Sequence, residues 1–196
     1  ITVDVLEADS VERERRRQMF AEPYRSLLGH LRHESGHYYW MLLVERGGAL
    51  GEFRALFGDE QQDYLATLSA YYANGAPANW AESYVSSYAS AHPWEDWAET
   101  WAHYLHMVDA VETAEAAGME PRAAGLGFGA AWPFKKDDVY TQVSFESLME
   151  RWVPLTLALN SLSRSLGHHD FYPFVISATA RAKLEFVHRL IRAGVH

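Results

Sequence analysis

A chain of 196 residues with 48% hydrophobic and 14% aromatic content has the length and apolar material for one folded domain, expected over residues 1–196, and it is no disordered segment. Its net charge of −9 comes without a basic stripe, which argues against nucleic acid or an anionic membrane as partner. With no cysteine, disulfides, thiolate metal sites and cysteine nucleophiles are excluded. No apolar run approaches the roughly 20 residues that span a bilayer, and no signal-peptide pattern is present, so a cytoplasmic protein is expected. Ile1 in place of an initiator Met fits a chain that lacks an N-terminal segment.

Residues 1–6 alternate β-branched and polar side chains and predict a short strand. Asp9-Ser10 can cap a following helical stretch. Pro23 suits the first turn of a long helix running to about Arg46, with Gly47-Gly48 to end it. A second helix is expected over 59–73, stopped by Asn74-Gly75, and 74–92 reads as loop. Pro93 suits the start of a third helix ending at Gly118. A Gly- and Pro-bearing connection covers 118–142, and helices over about 144–166 and 177–193 close the chain. The expectation is an α+β fold, mostly α: about five helices and a small N-terminal strand element.

The first long helix carries His33-Glu34-Ser35-Gly36-His37, an H-E-x-x-H pattern. On a helix, residues i and i+4 lie on one face, about 6 Å apart between Cβ atoms. Two imidazoles so placed can hold one Zn²⁺ at about 2.0–2.1 Å per nitrogen. Glu34 stands beside the first of them, where it can take a proton from water activated by the metal. Such a site needs a third protein ligand and an open position. The third helix offers Glu95 and Glu99, one turn apart, with His103 a turn further. Either carboxylate can coordinate, and the other can accept the free ring N–H of a ligating His, fixing its tautomer. The structural alternative is a solvated acidic edge beside a core of Trp94, Trp97 and Trp101, which sit at helical spacing.

Several stretches together carry a family resemblance: Gly29-His30-Leu31-Arg32 leading into the motif, Tyr38-Tyr39-Trp40 after it, Phe57-Gly58-Asp59-Glu60, the block from His92 to His106, and Tyr172-Pro173-Phe174. In them the chain resembles bacterial zinc-binding metallopeptidases of the gluzincin type. Members of that family often carry an N-terminal, Cys-containing, zinc-ribbon-like segment, which this sequence lacks. More distantly it is similar to lethal-factor-type gluzincins. That similarity implies a zincin-like domain with Zn²⁺ on His33, His37 and Glu95. It implies Glu34 as general base, Glu99 as the carboxylate behind a ligand, and Tyr88 as the donor to an oxyanion. It also implies a peptide or protein substrate, which the N-terminal strand could pair by edge addition.

Other residues have ordinary readings. His30 is expected as a hydrogen-bonded helix residue and His92 as a turn residue. His103 is either a packing histidine or a support for substrate. Gly125-Leu126-Gly127-Phe128-Gly129 lacks the Lys-Ser/Thr of a phosphate loop and reads as a flexible loop. No Gly-x-Ser-x-Gly elbow supports serine hydrolysis. Two other function classes stand beside the peptidase: a metal-binding module without turnover, and a metal-free helical interaction domain. Oligomeric state is not encoded in any pattern found here.

Overall fold

The computed structural model describes Asp9, residues 26–119, Tyr140 and residues 143–194. The expected strand at 1–6, the cap at Asp9-Ser10, Pro23 at its helix start and the loop containing Gly125 lie outside the described residues, apart from Asp9 itself.

Among the described residues the fold is helical. Helix α1 covers Leu27–Tyr39, with Ser26 as its N-cap: the Ser26 Oγ accepts the Gly29 N–H at 3.0 Å. It widens into π-helical turns over Trp40–Glu45, which bury Trp40 and Val44 on one side. Gly47-Gly48 ends this run as expected, and the two glycines act differently. A side chain at Gly47 would place its Cβ 2.1 Å from the Leu43 carbonyl oxygen, whereas Gly48 supplies a φ of +76°.

Helix α2, Leu50–Phe57, is not among the expected helices. It is short, and only its one-turn pair Phe53 and Phe57 is buried. Helix α3 is Tyr64–Asn74. It begins later than position 59 because Asp63 caps it, accepting the Ala66 N–H at 3.0 Å. The Asp59 carboxylate instead takes the Gln61 N–H at 2.9 Å, a local turn. The region expected as loop holds two single 3₁₀ turns, Trp80–Glu82 and Tyr88–Ala91. Helix α4, Pro93–Ala116, starts at its proline. Helices α5, Phe145–Ser165, and α6, Ala178–Ala193, start behind the serine caps Ser144 and Ser177.

The chain divides into two compact units. The first contains the described residues up to Tyr104 together with Phe174–Gly194. Its core is aromatic: Phe53 stacks on Phe57 at 4.9 Å, and Trp97 meets Phe57 at 5.9 Å and Phe186 at 6.0 Å, edge to face. Also buried there is an ion pair, Lys183 to Asp96 at 2.6 Å, with Lys183 also donating to the Ser83 carbonyl at 2.8 Å.

The second unit is Leu105–Pro173, as far as it is described. Asn160 clamps the backbone of Tyr172 through two hydrogen bonds of 2.8 and 2.9 Å. Trp152 packs edge-on against the Tyr172 ring, and Arg151 pairs with Glu115 at 2.8 Å. No helix among the described residues is long and apolar enough to cross a membrane.

Candidate metal centre

Helices α1 and α4 are held together by the tryptophans of α4. The Trp97 indole N–H donates to the Gly36 carbonyl at 2.8 Å, and that of Trp101 donates to the Ser35 hydroxyl at 3.1 Å. Tyr39 stacks on Trp101 with ring centroids 4.7 Å apart. Trp97 and Trp101 are therefore core residues, as their spacing suggests, but they also fix the height of one helix on the other. Gly36 allows this close crossing, because a Cβ there would meet the Ala98 Cα at 3.0 Å.

That crossing brings His33, His37 and Glu95 into one group able to hold a metal ion. The Nε2 atoms of His33 and His37 are 3.2 Å apart. Glu95 Oε2 lies 3.0 Å from His33 Nε2, and Glu95 Oε1 lies 3.6 Å from His37 Nε2. Ligands about 2.0–2.1 Å from a tetrahedral zinc are separated by about 3.4 Å, so the three spacings bracket what zinc requires. Glu95 is 1% exposed, and its Oε2 is a buried oxygen that faces His33 Nε2 at 3.0 Å. A buried carboxylate beside two imidazole nitrogens is costly unless a cation, an imidazolium or a metal ion, satisfies it. The donor set, two nitrogens and a carboxylate oxygen, suits zinc.

The second ring nitrogen of His33, Nδ1, lies 2.7 Å from Glu99 Oε1, and the other Glu99 oxygen accepts the Ser86 hydroxyl at 2.6 Å. Glu99 thus orients the His33 ring with Nε2 facing the group. Burial works against the His33 imidazolium, but the carboxylates of Glu95 and Glu99 outweigh it and raise its pKa to about 10. For Glu99, burial opposes ionisation and is outweighed chiefly by His33, leaving a pKa of about 2. His37 is pushed down from the usual value, first by burial. The Glu95 carboxyl is held below its usual value, its burial outweighed by His33.

A cavity of about 310 Å³ opens beside the group, lined by His33, Glu34, His37 and Glu95 together with Tyr64, Tyr88 and Trp94. Glu34 Oε1 is 3.2 Å from His30 Nε2, which is the first cause of its lowered pKa. His30 is accordingly hydrogen-bonded along its own helix. The Tyr88 ring lies 5.9 Å from that of His33, and burial, then the Glu95 charge, raises its pKa. It remains a neutral hydroxyl donor at every ordinary pH.

His103 is not among the lining residues. It is buried, its ring edge-on to Phe174 at 4.5 Å, and burial lowers its pKa to about 4. His92 holds the start of α4, accepting the Trp94 backbone N–H at 3.1 Å. Trp94 differs from its two companions by facing the cavity.

Sequence reasoning passed over Tyr64 and Ser86. The Tyr64 hydroxyl donates to Glu95 Oε1 at 2.8 Å, and burial followed by the Glu95 charge raises its pKa. No local pattern marks either residue, because each meets its partner through the path of the chain.

Two imidazoles on one helix, joined by a carboxylate from another, form a group of the kind that could hold a metal ion. The chain belongs to the family described as "putative zinc-binding metallo-peptidase", whose model matches residues 1–190. Uncharacterized proteins of Mycobacterium tuberculosis and Mycobacterium bovis are each 44% identical to it over 192 residues. Those matches take in 97% of this chain and 54% of each relative, so the chain spans about half the length of the curated relatives it matches. No solved structure matches it.

Proposed function

We propose that this chain is the catalytic domain of a zinc-dependent peptidase, zincin-like in fold, with His33, His37 and Glu95 as ligands. The observation that carries the reading is the convergence of two imidazole nitrogens and a buried carboxylate at tetrahedral-edge spacings, with the Glu34 carboxylate on the wall of the same cavity. The family supports zinc and peptide hydrolysis in the coarse sense; the residue roles are this reading's own.

A zinc ion held there supplies Lewis acidity, which polarises a carbonyl and makes water a nucleophile near neutral pH. Glu34, ionised and held by His30, accepts the proton of the attacking water at its carboxylate and then delivers it to the leaving amine. Tyr88 donates its hydroxyl hydrogen to the oxygen on which negative charge develops. Glu99 keeps the proton of His33 on Nδ1, so that Nε2 presents a lone pair. The aromatic rings of Tyr64, Tyr88 and Trp94 give the substrate an apolar wall.

The deciding test is Glu34→Gln, assayed for zinc content and for cleavage of a mixed peptide library by mass spectrometry. The expected result is one zinc per chain in both proteins, with cleavage by the wild type alone. A Gln variant that cleaves as fast as wild type removes Glu34 as the base. A wild type that takes up no zinc removes the enzyme reading altogether.

A further inference from the structure

Resting on the zinc site just proposed, we infer that Tyr64 is a positioning residue for the ligand Glu95, assigning its two carboxylate oxygens to different tasks. The Tyr64 hydroxyl donates to Oε1 at 2.8 Å, while Oε2 is turned to His33 Nε2, 3.0 Å away. A carboxylate can bind a metal through one oxygen or through both. A hydrogen bond to one oxygen favours binding through the other, because it takes up one of the two lone pairs of Oε1 and draws its charge away.

Glu95 needs such a partner. Its backbone sits in the first turn of α4, and its side chain is almost wholly buried. Protein groups therefore do most to orient it. The Tyr64 ring is itself fixed, edge-on to His92 at 5.1 Å and tilted against Trp94 at 6.1 Å. Both of these neighbours lie within three residues of Glu95, on the same turn of chain. The hydroxyl is thus set by the very segment that carries the ligand. Asp63, which caps α3, fixes where that helix begins, one residue before Tyr64.

The arrangement divides the two cavity tyrosines. Tyr64 is committed to Glu95 and acts through the ligand. Tyr88 packs beside His33, and its hydroxyl is paired with Tyr72 rather than with Glu95.

The test is zinc affinity by competition with a chromophoric chelator, for wild type, Tyr64→Phe and Tyr88→Phe, with Co²⁺ absorption as a second readout. Phenylalanine keeps both ring contacts and removes only the hydroxyl. Loss of the group that orients a ligand typically weakens metal binding about 10–100-fold. Tyr64→Phe is expected to show that loss, with a weaker Co²⁺ d–d band as the released carboxylate binds through both oxygens and the coordination number rises. Tyr88→Phe is expected to stay within about threefold of wild type, since it removes no donor to a ligand. Tyr64→Phe that binds zinc as tightly as wild type, with an unchanged Co²⁺ band, overturns the inference and leaves the zinc site standing. Should Tyr64→Phe not fold, Tyr64→His takes the reading, because it keeps a ring and a donor. Affinity near wild type then supports the assignment and a full loss overturns it. A wild type that binds neither metal defeats the underlying zinc reading, which is a different result.

Discussion

Replacing Gly36 with Ala probes the helix crossing on which the site depends. Gly36 lies between the two histidines, and an added Cβ would stand 3.0 Å from the Ala98 Cα and 3.2 Å from both Cβ and Cδ1 of Trp101. Ordinary contact begins at 3.4 Å, so relief requires about 0.4 Å of movement at Ala98, which is backbone and cannot swing aside. Two terms oppose each other. Alanine is a better helix former than glycine by about 1 kcal/mol, while overpacking a core costs about 1–3 kcal/mol. Global stability therefore changes little, falling by about 1 kcal/mol.

The metal site has no such compensation. Metal–ligand distances are tolerant to about 0.2 Å, and parting α1 from α4 by twice that separates both histidines from Glu95. Zinc affinity should fall tenfold or more, about 1.4 kcal/mol at the least. Urea unfolding of the metal-free proteins gives the first quantity, and competitive zinc titration gives the second. A variant more stable by about 1 kcal/mol that binds zinc like wild type would refute the reasoning, since only helix propensity would then have changed.

Two further outcomes concern stability. Lys183→Met leaves the buried Asp96 carboxylate without its cation and should cost about 3–5 kcal/mol, most of it regained in Lys183→Met/Asp96→Asn; a double variant no more stable than the single one counts against a charge effect. His103, with its pKa lowered by burial from 6.5 to about 4, binds a proton more readily in the unfolded chain. Stability present above pH 6.5 is therefore lost as pH falls towards 4, by about 3 kcal/mol at 1.36 kcal/mol per unit. Metal-free His103→Gln should show a shallower acid loss between pH 8 and 4.5 in urea unfolding, and an unchanged slope speaks against a neutral buried His103.

Much of the helical plan was legible because its signals are local. Gly47-Gly48, Asn74-Gly75, Pro93 and Gly118 end or begin helices by backbone geometry that needs no tertiary partner. Helix α2 went unread because eight residues with one buried aromatic pair carry too little periodicity to stand out. The start of α3 was misplaced by five residues because both Asp59 and Asp63 can cap or turn a chain, and only the folded backbone chooses between them.

The candidate site divides along the same line. That His33 and His37 share a helix face, with Glu34 beside them, follows from 3.6 residues per turn, and the sequence alone determines it. The same period puts Glu95 and Glu99 on one face, so spacing alone leaves both as candidates, and the family resemblance is what favours Glu95. Tertiary structure distinguishes them by placing Glu95 against the Nε2 side of His33 and Glu99 against Nδ1. It also decides that Tyr64, 31 residues from Glu95, supplies the hydroxyl on Oε1, that Trp94 turns to the cavity while Trp97 is buried, and that position 36 must be small. These depend on where one helix crosses another, and that is set by the packing of a whole core, which no short-range period in the sequence encodes.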